Sequence, residues 1–202
     1  MSVTRRLVLA SASPARLALL RQAGLAPEVV VSDVDESVVR APRVAERVAL
    51  LAAAKAGAVA GRQTDALVVG ADSLLEFRGQ AMGKPADAAE ARERWRRMSG
   101  RSAVLHTGQA LFDVRGGGVE ARDVVVTSTV VHFASPSTAE VEAYVSTGEP
   151  LAVAGAFTLD GLGAPFVRRV EGDPASVVGL SLAALREQLG RRGLAITDLW
   201  RR

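Results

Sequence analysis

Two carboxylates, two lysines, an arginine and a pair of serines carry the chemistry of this 202-residue chain. Ser11, Ser13 and Arg16 follow the apolar run Leu7-Val8-Leu9-Ala10. Glu36 follows Glu28-Val29-Val30-Val31, and Asp72 follows Ala66-Leu67-Val68-Val69-Gly70-Ala71. Lys55 stands in an alanine-rich stretch and Lys84 in Gly83-Lys84-Pro85. Open α/β sheets place ligands at the ends of their strands. Carboxylates there hold a hard divalent cation, usually Mg²⁺. Cationic side chains and backbone N–H groups hold phosphate oxygens and stabilise charge that develops on them.

The first of these clusters has its own logic. Pro14 suits the first turn of a helix, where its missing N–H costs nothing. Ser13 is placed as the N-cap. Free N–H groups, two hydroxyls and Arg16 at a positive helix end make an anion site, with phosphate the obvious guest. The same residues also fit a plain βα turn with a serine cap, and the two readings stay open on this motif alone.

The basic residues are unevenly chosen. Of 25 lysines and arginines only Lys55 and Lys84 are lysine, Ile196 is the one isoleucine, and asparagine is absent. That pattern suggests GC-rich coding pressure, which replaces lysine by arginine wherever a generic charge suffices. The two remaining lysines then mark places that want a compact ammonium.

The elements that must position these groups read as follows. A strand near 6–10 leads to a helix at 14–23 ended by Gly24. A strand at 28–31 leads to an acidic turn at 33–36. A long helix at 42–60 carries Lys55. A strand at 66–71 ends at Asp72-Ser73, and a hairpin at 74–82 turns at Arg78-Gly79. A helix at 87–98 is capped by Asp87, with Arg92, Arg94, Arg96 and Arg97 on its solvated face. Long strands at 102–114 and 119–133 are joined by Gly116-Gly117-Gly118. They contain His106 and His132, read as sheet residues rather than ligands. A helix at 136–145, a Gly-rich region at 147–165, a strand at 165–170 and a helix at 180–190 follow. The order favours an α/β fold with a mixed sheet. The long hairpin argues against a purely parallel sheet. Neither a dinucleotide fingerprint nor a P-loop follows the first strand.

Composition bounds the rest. Apolar residues make up 49% and charged residues 23%, ordinary values for a soluble globular chain. The absence of cysteine excludes disulfide and thiolate chemistry. Arg5-Arg6 is followed by too short an apolar run for a signal peptide. No run approaches the length of a membrane helix, so the expectation is a cytoplasmic protein without a membrane partner. The pI near 10.1 suggests nucleic acid, but the formal charge is only +3 and the basic residues are scattered. Aromatics at 4% are too few for stacking platforms, so no stable nucleic-acid partner is expected.

Eleven short motifs occur in order. They are Leu9-Ala10-Ser11-Ala12-Ser13-Pro14-Ala15-Arg16, Val34-Asp35-Glu36, Ala52-Ala53-Ala54-Lys55, Gly70-Ala71-Asp72-Ser73, Gly83-Lys84-Pro85 and Ser99-Gly100-Arg101. After them come Thr107-Gly108, Gly148-Glu149-Pro150, Ala154-Gly155, Gly161-Leu162-Gly163 and Val177-Val178-Gly179-Leu180. Together they resemble the Maf family of nucleoside triphosphate pyrophosphatases, over roughly residues 6–190 of a single domain at 1–202. The resemblance implies an elongated mixed β-sheet flanked by helices in two lobes with a central cleft, like the inosine triphosphatases. It implies hydrolysis of a nucleoside triphosphate to monophosphate and pyrophosphate, a divalent cation (Mg²⁺ or Mn²⁺) and a homodimer. By the same resemblance Asp72 is the proton acceptor and joins Glu36 in binding metal, while Ser11, Arg16, Lys55 and Lys84 contact the phosphates.

By the same resemblance base selection falls to Ser13, Ala15, Ser73 and Asp160, and at the last three the chain departs from the commoner pattern. That pattern has arginine, threonine and glutamine at the last three of these positions, in members resembling dTTP and UTP hydrolases. An ionised Asp160 cannot donate as a glutamine amide does. It would accept from a guanine-type N–H edge, as in the subgroup acting on methylated guanosine triphosphate, whose aromatic-rich start is missing here. Base preference, pyrimidine or modified purine, therefore stays open. The family's name is tied to inhibition of septum formation, so a regulatory or binding protein of cell division is the alternative function.

Overall fold

The computed structural model describes residues 5–200. In chain order its elements are β1 (Leu7–Leu9), α1 (Pro14–Gln22), β2 (Glu28–Val29), α2 (Val44–Ala60), β3 (Ala66–Phe77), β4 (Gln80–Met82) and α3 (Ala88–Met98). Then follow β5 (Ser102–Arg115), β6 (Gly118–Phe133), α4 (Thr138–Ser146), β7 (Val167–Glu171), α5 (Pro174–Val178) and α6 (Leu182–Gly190). Short 3₁₀ turns fill Glu36–Val38, three places between Glu149 and Phe166, and Ile196–Leu199. The strands form one mixed seven-stranded sheet in the order β2-β1-β3-β5-β6-β7, with β4 on β3. β1 is parallel to β2 and β3, while β3–β4 and β6–β7 are antiparallel. The α/β fold with a mixed sheet and flanking helices is thus as the element order predicts. No helix among the described residues is long and apolar enough to cross a membrane.

The chain divides into two compact units. The first comprises residues up to Asp72, Thr107–Thr127 and the stretch from Gly179 onward. β1 and the first half of β3 are apolar on both faces, as parallel strands between helices must be. Side chains alternate along a strand, so each face has its own cluster. Leu7, Leu9, Leu67, Val69 and Ala71 pack with Leu20 of α1 and with Leu185 and Leu189 of α6. Val8, Ala10, Ala66 and Val68 pack with Ala52, Ala56, Val59 and Ala60 of α2. A slip of one residue would exchange the two sets, so the apolar pattern fixes the register. It thereby fixes which face Asp72 takes.

The second unit comprises Ser73–His106 and Ser128–Val178. Its core gathers Leu75, Phe77, Met82, Trp95, Met98, Leu105, Val131, Phe133, Tyr144 and Phe157. Trp95 packs edge-on against Phe133, Tyr144 and Phe166, and its indole N–H donates to the Ala156 carbonyl at 2.8 Å. A buried Trp needs such an acceptor.

Several elements differ from the sequence reading: β2, expected at 28–31, is only Glu28–Val29. The strand expected to end at Asp72 continues to Phe77, pairing Leu75, Glu76 and Phe77 with Met82, Ala81 and Gln80. Asp72 therefore sits within a strand, not at its end. α5 is a helix of five residues that the sequence reading does not anticipate.

Candidate active site

Position 72 has the same parity as Ala66, Val68 and Gly70, so its carboxylate faces α2. Besides the alanine and valine side chains it packs here, α2 brings its backbone against this face at two glycines. A Cβ on Gly70 would stand 2.4 Å from the Ala52 carbonyl oxygen and 2.6 Å from the Ala56 nitrogen. One on Gly108 of β5 would stand 2.2 Å from the Val48 oxygen. Two glycines thus let the helix settle directly on the sheet. Lys55 lies between Ala52 and Ala56, and this approach brings its Nζ to 2.6 Å from Asp72 Oδ1.

The same Nζ lies 2.6 Å from Glu36 Oε1. The Lys55 and Asp72 side chains are about nine-tenths buried, at 10% and 9% exposure, whereas that of Glu36 is 54% exposed. Glu36 opens a 3₁₀ turn capped by Asp35, whose carboxylate accepts from the Ser37 N–H at 2.9 Å. Arg47 Nη2 reaches the Glu36 carbonyl at 3.5 Å. Burial pushes the Asp72 carboxyl above its ordinary pKa and Glu36 pushes the same way, against the charges of Lys55 and Arg16. A raised carboxylate pKa suits a base that must take a proton.

At the start of α1 the hydroxyls are already used. Ser13 Oγ caps the helix, accepting from the Arg16 N–H at 3.4 Å. Ser11 Oγ accepts from the Ser13 N–H at 3.2 Å and from Arg16 Nη1 at 3.1 Å. The helix therefore begins as expected, but the N–H groups of Ser13 and Arg16 are engaged, which leaves less free backbone there than the sequence reading supposes. Arg16 Nε donates to the Gly179 carbonyl at 2.8 Å. A Cβ at Gly179 would come within 3.0 Å of that Nε, and its φ of +131° favours glycine. The glycine of Val177-Val178-Gly179-Leu180 thus seats Arg16. Burial lowers the Arg16 pKa while Asp72 and Glu36 raise it. An arginine stays charged under such shifts.

The first unit therefore gathers Asp72, Lys55 and Glu36 into one contact group, with Ser11 and Arg16 joined to each other nearby in charge. Ser13 serves as a cap, and Ala15 offers only a methyl group. Ser73, Lys84 and Asp160 belong to the second unit. Ser73 follows Asp72 in β3 and so takes the opposite face. Lys84 is exposed, in a turn between β4 and α3. Asp160 is exposed in the loop after Phe157.

That loop is held by a residue whose role the sequence reading leaves unassigned. Glu149 accepts from Tyr144 Oη at 3.0 Å, the Leu162 N–H at 3.0 Å, the Gly163 N–H at 3.1 Å and Thr158 Oγ1. Burial presses its pKa up, but these donors prevail and hold it below the usual carboxylate range. The Gly148-Glu149-Pro150 motif thereby organises the Gly161-Leu162-Gly163 motif.

Arg94 corrects another expectation. Arg92, Arg96 and Arg97 are at least partly exposed on α3, paired with Glu142, Glu93 and Gln80. Arg94 is 8% exposed and bonds Glu90 and the backbone near Lys84. The stripe Ala91, Arg94, Trp95 and Met98, at spacings of three, four and seven, is the buried face of α3. That spacing is the signal that finds it. His106 and His132 are sheet residues as expected. His106 bonds Ser128 and Glu76, and His132 bonds Ser102 and Glu171.

Acids bridged by a buried lysine beside an arginine at a helix start form a site suited to a metal-assisted phosphate reaction. The profile of the Maf-like protein family matches residues 6–192. The chain is 56% identical over 206 residues to the nucleoside triphosphate pyrophosphatase of Salinispora tropica, spanning 100% of this chain and 90% of that protein. It is 56% identical over 199 residues to the protein of the same name from Streptomyces coelicolor, spanning 97% and 95%. A third, from Rhodococcus erythropolis, is 52% identical over 206 residues, spanning 97% of each chain. The chain belongs to the Maf-like family.

Proposed function

We propose that this protein hydrolyses nucleoside triphosphates between the α and β phosphates, releasing a nucleoside monophosphate and pyrophosphate. The observation that carries the reading is the buried Asp72 carboxylate, 2.6 Å from Lys55 Nζ, which also contacts Glu36. The names of the relatives support the same reaction. Water adds to phosphorus, the bridging P–O bond breaks, and Asp72 takes the proton of the water. Lys55 and Arg16 hold phosphate oxygens and balance the charge that builds on them. Ser11 orients Arg16 through its hydroxyl. Lys84 is a further phosphate contact.

The donor set also fits a divalent cation. Two carboxylate oxygens converge on one cationic centre, the Lys55 ammonium, from opposite partners. Among the described residues no group of three or more acids, histidines or cysteines stands together, so protein alone would not cage the ion. Mg²⁺ bound through one or two carboxylates and completed by substrate phosphates matches that pattern. Asp72 and Glu36 would hold Mg²⁺ or Mn²⁺, which supplies charge neutralisation on the phosphate oxygens. Ser13, Ala15, Ser73 and Asp160 remain the residues proposed to select the base, with Glu149 holding the Asp160 loop.

The test is pyrophosphate release across normal and modified nucleoside triphosphates, with Mg²⁺ or Mn²⁺ present and then removed. Turnover is expected on at least one triphosphate and is abolished by excess EDTA, then restored by Mg²⁺. Full turnover in EDTA would remove the metal role. No release from any triphosphate with either metal would remove the reading itself.

A further inference from the structure

The turn that carries Lys84 has no strand or helix of its own. Its backbone polar groups must still find partners. Three of them are met by a charged pair on α3. The buried Arg94 guanidinium donates through Nη1 to the Gly83 carbonyl and through Nη2 to the Lys84 carbonyl at 3.5 Å. Its Nε donates to Glu90 Oε1 at 3.0 Å, and Nη2 contacts the same oxygen. The other Glu90 oxygen accepts from the Ala86 N–H at 2.8 Å. The pair therefore fastens the chain on both sides of Lys84. The Gly83 carbonyl also accepts from the Gly155 N–H at 3.1 Å.

Burying a guanidinium is costly unless it is fully bonded. An apolar side chain at position 94 would serve the packing of α3 beside Trp95 and Met98 without that cost. What an apolar residue cannot do is present a planar fork to two carbonyls and a carboxylate at once. Lysine cannot do so either, because its donors radiate from one point. Lys84, by contrast, is an exposed side chain on a flexible stem. Its ammonium can be aimed only if its backbone is held.

We infer that Arg94, braced by Glu90, is the positioning residue for Lys84, setting where that ammonium meets the substrate phosphates. The inference rests on the proposed role of Lys84 as a phosphate contact.

A double-mutant cycle tests it in the full-length protein, with kcat and KM for a turned-over triphosphate and the thermal midpoint measured for each variant. Lys84→Ala and Arg94→Met each lower kcat/KM by at least about tenfold, the worth of one charge-assisted contact. The loss divides between kcat and KM in the same proportion in both. The double variant falls no further than Lys84→Ala alone, within about twofold. Arg94→Lys does not rescue, because it restores charge but not the fork. Arg96→Ala, on the exposed side of the same helix, stays at wild-type activity. Glu90→Gln, a milder change on a more exposed partner, enters the same cycle and keeps it decisive should Arg94→Met fail to fold. Losses that multiply in the double variant would mean Arg94 acts on the fold at large, and the inference would be wrong. Wild-type kinetics for Lys84→Ala would instead overturn the role of Lys84 as a phosphate contact, and the inference with it.

Discussion

Asp72→Asn lowers turnover by at least about 10²-fold while the protein stays folded. The substitution keeps size and most hydrogen bonding but removes both the charge and the basicity. On the proposed roles of Lys55, Arg16 and Lys84 the phosphates are still held, so nucleotide binding weakens less than turnover. The fold tolerates the change for an electrostatic reason. The carboxyl's pKa is raised in the folded protein, chiefly by burial. A group whose folded pKa exceeds its unfolded value costs stability once it is ionised, that is, as pH rises through the folded pKa. Asn carries no charge and does not incur that cost, while Lys55 keeps its pairing with Glu36. Steady-state turnover, a binding titration and a melting curve on the same preparation check the three parts. Near-normal turnover in a folded Asp72→Asn protein would remove Asp72 as the base and turn attention to Glu36.

Gly70→Ala should also damage activity, less steeply and by a different route. The added methyl meets α2 backbone at 2.4 and 2.6 Å, and backbone cannot rotate away as a side chain can. α2 must lift from β3. Overpacking of this kind costs about 1–3 kcal/mol. For a chain of this length that corresponds to a fall in Tm of about 2–12 °C. The lift also draws Lys55 away from Asp72, so turnover falls by at least about tenfold, beyond what lost stability explains. A control at Gly79, where nothing lies within 4 Å of a Cβ, has space but a φ of +75°. Gly79→Asn, whose side chain tolerates that conformation, should leave activity intact. Wild-type turnover in Gly70→Ala would mean the helix approach does not set the Lys55–Asp72 contact.

Much of this was readable from residue order. The apolar runs before Ser11 and Asp72 are β1 and β3, the long alanine-rich stretch is α2, and Gly116-Gly117 turns between β5 and β6. The rarity of lysine drew attention to Lys55, which the structure places between Glu36 and Asp72. The errors have physical causes. Asp72-Ser73 looks like the end of a strand because the pair is polar. The strand nonetheless runs on, since β4 pairs with its far half and Lys55 satisfies the carboxylate within it. Arg94 looks solvated because it sits in a charge-rich helix. Its burial follows from its place in the stripe with Ala91, Trp95 and Met98, a periodicity that local charge hid. Glu149 could not be read at all, because its four donors come from Tyr144, Thr158, Leu162 and Gly163. Only the folded loop brings them together.

The identity of the first products tests the central claim most directly. Phosphorus-31 NMR can follow a nucleoside triphosphate incubated with the protein and Mg²⁺, beside Asp72→Asn. The account predicts nucleoside monophosphate and pyrophosphate in equal amounts from the earliest spectra, with both signals nearly lost in the variant. Nucleoside diphosphate and orthophosphate as the first products would contradict it.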